Sequence, residues 1–457
     1  YAPTLEATKS LTAGQVENID ESATFLLDNH ITEEYLAELV NDKQKNKRLV
    51  RKIDLIVLPL LAGTYVLQYI DKQALSYAAV FDLFESTGTT QSQYSWFASM
   101  FYLAYLISEY VREEQPFRAG IFYSCNGIGS MLGGIFSYGV GQIDSFPVWK
   151  AVFLLCGGVT VLWGCVLLFC LPDSILSARW FSLEERALLV GRGRLARTGI
   201  LNKTIQWYQI REAFGDPQVW LLTIFVLLNE VINGGMSNFG KLIIKGLVTD
   251  PLLTTALGIP QGAFQVFWIL TGTLTATKFR NHRTTVMILW LVPTIIGTCL
   301  IWKLDRTRFK VGVLFGYYLV GSFVASLVLA LQMPATNLGG YTKRITASAI
   351  VFTAYCVGNI IGPHAFLADE APLYPTGCKV ILSCAVGQML TGACLRLLLK
   401  YRGKKRERWS ANHDASLEES DIADIDRTDF EKLSQAFLHF DKLKLWRPTG
   451  GEDQFQE

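Results

Sequence analysis

Long apolar stretches separated by short polar ones run through most of this 457-residue chain. A helix needs about 17–25 mostly apolar residues to cross a bilayer, and ten stretches meet that length. Four come first: Ile53–Ile70, Tyr94–Tyr110, Arg118–Val140 and Trp149–Leu171. Six follow: Gln218–Gly240, Leu252–Thr275, Thr284–Trp302, Val311–Met333, Thr346–Phe366 and Val380–Leu399. Between the groups, Pro172–Pro217 is polar and basic, carrying Arg179, Arg186, Arg192, Arg194, Arg197, Lys203 and Arg211. The pattern predicts an all-α polytopic membrane protein of about ten transmembrane helices, four plus six. It divides into a cytoplasmic tail over 1–52, a first transmembrane half over 53–171 and a cytoplasmic central loop over 172–217. A second half over 218–400 and a cytoplasmic tail over 401–457 complete it. Within the first tail, Ile31–Val40 has the spacing of an amphipathic helix.

Composition agrees. Half the residues (50%) are hydrophobic, only 18% are charged, and the mean hydropathy is +0.27. A net charge of +2 provides no field for nucleic acid. The basic residues gather at block ends instead, where they orient helices. Lys43, Lys45, Lys47, Arg48, Arg51 and Lys52 crowd against the first block and place the N-terminal tail in the cytoplasm. Ten spans return the C-terminal tail to that side, where Lys400, Arg402, Lys404, Lys405, Arg406 and Arg408 agree. Lys278–Arg283 and Lys343–Arg344 fall on inner loops as the rule requires. Lys303, Arg306, Arg308 and Lys310 fall on the outer side, against it. The nine cysteines lack CxxC spacing and read as reduced, small apolar residues.

An ionisable side chain at the centre of a membrane helix costs about 2.5–3.5 kcal/mol on insertion scales, so each one is a functional candidate. Glu230 lies midway through its block beside Asn229 and Asn233 and ahead of Gly234-Gly235. A carboxylate there suits proton binding and release during transport, and equally suits a purely structural pairing between helices. Asp71, in Tyr69-Ile-Asp-Lys72, is either a coupling carboxylate or an interfacial partner of Lys72. Gln332, Asn337 and Asn359 offer hydrogen bonds to a polar substrate or to neighbouring helices, and His364 follows Gly362-Pro363. The glycines of Asn126–Gly141 read as a helix-packing surface. No catalytic motif occurs, and His30, His282, His364, His413 and His439 are too scattered for a metal site, so neither an enzyme nor a cofactor is expected.

The stretches Asp54-Leu-Ile-Val-Leu-Pro59 leading to Tyr69-Ile-Asp-Lys72, Gln93-Tyr-Ser-Trp96, Phe101-Tyr102, Glu109-Tyr110, Phe214-Gly-Asp-Pro217, Asn233-Gly-Gly235 and Phe239-Gly240 form one set. Together with Gly358-Asn-Ile-Ile-Gly-Pro363, Ala371-Pro-Leu-Tyr-Pro375 and Asp426-Arg-Thr-Asp-Phe-Glu431, they resemble the fungal allantoate-permease-like branch of the major facilitator superfamily, described as anion:cation symporters. The resemblance implies a plasma-membrane, proton-coupled transporter of a small organic anion, working by alternating access between two halves of inverted repeats. Glu230 or Asp71 would take the proton, with Asn233, Gln332, Asn359 and His364 at the substrate cavity. The family has twelve spans, and here Val111 runs straight into Arg112, where the resemblance implies that spans three and four are missing. A second expectation therefore stands beside the first: a non-transporting truncated isoform, a gene-model artefact, or a sensor or partner-binding remnant.

Overall fold

The computed structural model of the chain describes residues 42–411, except 109–115, 144–145, 171–179, 196–205, 249 and 280–281, together with 25–26, 28–29, 31–32, 35–36 and 38–39. The Val111–Arg112 junction and the acidic C-terminal tail lie outside the described residues. Regular structure among those described is helical: α1 (Lys43–Val80), α2 (Leu83–Thr87), α3 (Gln91–Ser108), α4 (Pro116–Val140), α5 (Val148–Cys170), α6 (Leu183–Leu195), α7 (Trp207–Gly215), α8 (Pro217–Lys245), α9 (Pro251–Lys278), α10 (Arg283–Leu289), α11 (Leu291–Lys303), α12 (Lys310–Val320), α13 (Phe323–Leu331), α14 (Met333–Asn337), α15 (Tyr341–His364) and α16 (Pro375–Ala411).

Seven described stretches are long and apolar enough to cross a membrane: Val148–Cys170, Pro217–Lys245, Pro251–Lys278, Arg283–Lys303, Lys310–Asn337, Thr342–His364 and Pro375–Lys405. Each coincides with one of the ten predicted blocks. The other three blocks lie in α1, α3 and α4, where basic residues, polar Gln and Ser, or frequent Gly dilute the hydropathy. Two predicted single helices are broken. Thr284–Trp302 divides at Trp290, and Val311–Met333 divides at Gly321-Ser322 and again at Gln332.

The chain forms two compact units, residues 1–68 with 157–204, and 69–156 with 205–457. In the first, Leu26, Ile31, Leu36, Leu39 and Leu49 bury against Phe181, Ala187 and Leu188 of the central segment. Ser182 and Glu185 close the start of α6 as a reciprocal cap, each accepting from the other's backbone N–H at 2.9 and 3.3 Å. Lys45 and Lys52 pair with Glu184 and Glu185 at 2.8 and 2.6 Å. These exposed pairs contribute about 1 kcal/mol at most. Leu168 and Phe169 are 84% and 89% exposed, as a lipid-facing surface requires.

The second unit is built on two close helix contacts. Gly127 of α4 and Gly262 of α9 meet backbone to backbone, and a Cβ on either would strike the other's carbonyl oxygen. Gly234 of α8 lies against the backbone of Asn359 in α15, and Gly358 and Gly362 against Leu227 and Val231. Small residues let these helices approach to backbone contact, the main source of helix affinity where lipid is as apolar as leucine. The glycine stretch in α4 is thus a packing surface. Along α15, Ser95 and Ser99 of α3 donate to the carbonyls of Pro363 and Ile360 at 3.4 and 3.3 Å. Tyr94 and Ser76 both donate to the Asn238 carbonyl, at 3.0 and 3.3 Å.

Candidate functional site

The site is organised by α8, whose start is set by Asp216-Pro217. Asp216 caps it by accepting from the Gln218 amide at 2.9 Å, and Pro217 occupies the first turn, where no N–H is needed. The same carboxylate anchors a buried ion cluster. Lys343 of α15 lies 3.0 Å from Asp216 and 2.9 Å from Glu212, and Arg402 of α16 lies 2.7 Å from Asp216. Burial works against the charge on Asp216, yet hydrogen bonds from Arg402, the Gln218 amide and Lys343 hold its pKa below the ordinary carboxylate value. Lys343 was expected on a solvated loop; its side chain is instead fully buried between two carboxylates.

Four turns further along, Glu230 and Asn233 share a helix face by their three-residue spacing. Asn229 turns to the other side, donating to the Phe323 carbonyl at 3.2 Å. Because Gly234, Gly358 and Gly362 bring α15 into backbone contact, the short amide of Asn359 reaches across to the same face. Asn233 donates to Glu230 Oε2 at 2.9 Å and to Asn359 Oδ1 at 3.0 Å. Asn359 donates to the same Glu230 oxygen and to the Tyr355 carbonyl at 3.0 Å. Asn233 Oδ1 accepts from Ser237 at 3.2 Å. Every amide hydrogen in this triangle is engaged. Glu230 Oε1 is left without a hydrogen-bond partner, in a residue with no exposed surface.

Two lysines complete the site, and sequence reasoning missed both. Lys72 of α1 lies over the rings of Tyr69 and Tyr102, 5.4 and 5.0 Å from their centroids, and its charge reaches Glu230. Lys241 of α8 is 4% exposed. Its ammonium donates to Gln73 Oε1 at 2.5 Å and lies 3.8 Å from the centroid of Tyr77, whose hydroxyl donates to the Ser130 carbonyl at 2.9 Å. Tyr69 lies within hydrogen-bond reach of Gln73 and Gln265. The available signal was that Lys72 and Lys241 each sit just beyond the end of an apolar block, where they read as interface anchors.

The structure thus brings together Glu230, Asn233 and Asn359 of the expected residues. Asp71 is half-buried near Cys156 of α5. Gln332 lies at the break between α13 and α14, where its carbonyl accepts from Thr336 at 3.0 Å. Asn337 ends α14 beside the same threonine, its side-chain oxygen accepting at 3.0 Å. His364 is exposed at the end of α15, 3.4 Å from Ser99 Oγ and edge-on to Trp96. Among the described residues no group of three His, Cys, Asp or Glu side chains could hold a metal ion.

The outer basic residues that broke the charge rule also find partners. Arg306 donates to the carbonyls of Pro372 and Leu373 at 2.8 and 3.3 Å, and Lys303 lies 4.0 Å over Trp302. Arg306 clamps the loop that contains Ala371-Pro-Leu-Tyr-Pro375, so its position follows from a contact.

Comparison with known proteins supplies a context. Residues 105–363 match the model of the Major Facilitator Superfamily. An uncharacterised transporter of Schizosaccharomyces pombe is 31% identical, covering 82% of this chain and 83% of the relative. The allantoate permease of Saccharomyces cerevisiae is 26% identical, covering 85% of this chain and 86% of the permease. Another uncharacterised transporter of Schizosaccharomyces pombe is 28% identical over 460 residues, covering 85% of this chain and 90% of the relative. Since 460 aligned positions exceed the 457 residues of the chain, the relative carries residues that this chain lacks. A solved bacterial homologue of the human drug peptide transporters is 12% identical with a TM-score of 0.45, covering 75% of this chain and 99% of that one.

Proposed function

Because the chain belongs to the Major Facilitator Superfamily and is a multi-pass membrane transporter of fungal type, we propose that it carries a small organic anion together with a proton by alternating access. The observation that carries this reading is the single open oxygen of buried Glu230, a residue whose charge interacts with that of Lys72. With Glu230 ionised, the two charges compensate each other and an anion gains little by entering. With Glu230 protonated, Lys72 is a half-buried cation that loses the compensation of Glu230, a costly state that an incoming carboxylate relieves. Proton and anion then strengthen each other's binding by the same factor, as linkage requires. Lys72 supplies the cation for the substrate carboxylate, Glu230 the proton site, and Asn233 and Asn359 hold the carboxylate in place. Asp71, turned toward Cys156, has a lesser claim to the proton.

The charge pattern supports an orientation with both ends of the chain in the cytoplasm of a plasma-membrane protein. The residues of the relative that this chain lacks support a shortened first half of four spans joined at Val111–Arg112. That same gap favours one second reading, a form that does not transport as it stands.

Uptake of labelled carboxylates by a permease-deficient yeast, at acidic and neutral pH, separates these readings. The partner chain in the assay carries a relative's two-span hairpin inserted after Val111. Acid-stimulated uptake that Glu230→Gln makes indifferent to pH supports proton coupling. Uptake by the repaired chain alone supports the second reading of the chain as written. Uptake by either chain that retains its pH response in Glu230→Gln refutes the role given to Glu230.

A further inference from the structure

Building on the anion–proton reading, we infer that the substrate carries two anionic groups, a dicarboxylate or its equivalent, with Lys241 receiving the second.

Lys72 and Lys241 belong to different helices but meet neighbouring residues of α1: Lys72 is itself residue 72, and Lys241 donates to Gln73. The charge of Lys72 is felt at Lys241. Among the described residues neither ammonium lies within ion-pair distance of a carboxylate; Lys241 has a neutral amide oxygen and the face of Tyr77, and Lys72 has two aromatic faces. Aromatic faces and amide oxygens stabilise a cation without neutralising it. Among the described residues, Glu230 is the carboxylate whose charge reaches Lys72, and in the proposed cycle it holds the proton when substrate is bound. A half-buried cation, Lys72, and a buried one, Lys241, then stand without a paired carboxylate. A single carboxylate would leave one of them uncompensated, and two carboxylates match both.

The remaining polar groups fit a ligand of that kind. Tyr69 lies under Lys72, and Gln73 accepts from Lys241 and keeps its amide N–H groups as donors. The amides of Asn233 and Asn359 are fully engaged with Glu230 and each other, so they do not supply the second recognition point.

The test is binding to the purified full-length chain at acidic pH, followed by intrinsic tryptophan fluorescence and by calorimetry. The probes are the dicarboxylates from succinate to adipate and their monoamides. One member of the dicarboxylate series should bind about 10- to 100-fold more tightly than its monoamide, the range expected for a charge-assisted hydrogen bond. Lys241→Gln should bring that ratio close to one, and Lys241→Arg should keep it. A wild-type ratio near one overturns the inference, and decides the matter alone if Lys241→Gln does not fold. An unchanged ratio in Lys241→Gln overturns it as well. Monoamides that bind with acid stimulation but without a dicarboxylate advantage remove this inference and leave proton-coupled anion transport standing. No binding by any carboxylate removes both.

Discussion

Replacing Lys343 with methionine tests the ion cluster beneath α8. The lysine side chain has no exposed surface and touches two carboxylates, Asp216 at 3.0 Å and Glu212 at 2.9 Å. Methionine preserves most of the volume, so the cavity contribution is small. The loss is electrostatic. Removing one partner from a buried pair costs about 3–5 kcal/mol, because the other charge is left uncompensated. Asp216 keeps Arg402 at 2.7 Å and the Gln218 amide at 2.9 Å, and Glu212 is 17% exposed. The low end of the range, about 3 kcal/mol, is therefore expected. At about 2–4 °C per kcal/mol, this lowers the thermal midpoint of the purified protein by roughly 6–12 °C. Adding Glu212→Gln to the variant should recover part of the loss, since it removes the stranded charge. The pH behaviour gives an independent check. Asp216 is a carboxylate of depressed pKa, so its contribution is fully present above the unfolded value near 3.9 and is lost as pH falls through the lower folded value. The penalty should therefore stay constant from about pH 5 to 8. A midpoint shift below about 2 °C, or one that disappears near pH 6, refutes the assignment of a buried, charged cluster.

Other outcomes follow from contacts described above. Gly262→Ala forces a Cβ into the Gly127 carbonyl and should cost about 1–3 kcal/mol, read as a lowered thermal midpoint, whereas Gly258→Ala, whose Cβ would meet open space, should cost less. Arg306→Gln removes charged donors from two loop carbonyls and should cost about 1.5–3 kcal/mol, with faster proteolysis near Pro372. Lys72→Gln should abolish carboxylate uptake and lower the thermal midpoint at neutral pH, because it leaves buried Glu230 without its compensating charge, and the loss should shrink at acidic pH, where Glu230 takes a proton.

The membrane helices were legible because a bilayer demands long apolar runs, and composition alone reveals them. Their breaks were not. Trp290 and Gly321-Ser322 interrupt apolar runs without lowering the hydropathy. Glu230 was legible because a carboxylate inside an apolar run is conspicuous, and Asn233 because it lies on the same helical face. Lys72 and Lys241 were missed for the converse reason. A hydropathy block stops where a charge appears, so the first block was cut at Ile70 and the fifth at Gly240, while α1 continues to Val80 and α8 to Lys245. The charges marked helix interiors and were read as ends. Lys343 was assigned to a loop by the same logic, although it lies in the first turn of α15 and is buried. Asn359 could be placed on a span by sequence, but its reach to Glu230 depends on Gly234, Gly358 and Gly362 closing the gap between two distant segments.

The closed triangle of Glu230, Asn233 and Asn359 has a consequence for how such a protein can change its cargo. Its amides are occupied with one another, with Glu230 and with the Tyr355 carbonyl, and Glu230 Oε1 is left open. On the proposed reading, the proton site is thereby separated from the groups that would meet the solute. Substitutions at Tyr69, Gln73 or Lys241 would then change which solutes are accepted without disturbing the hydrogen bonds around Glu230. A lineage, or an engineer, could on that reading retarget the protein while leaving the triangle untouched.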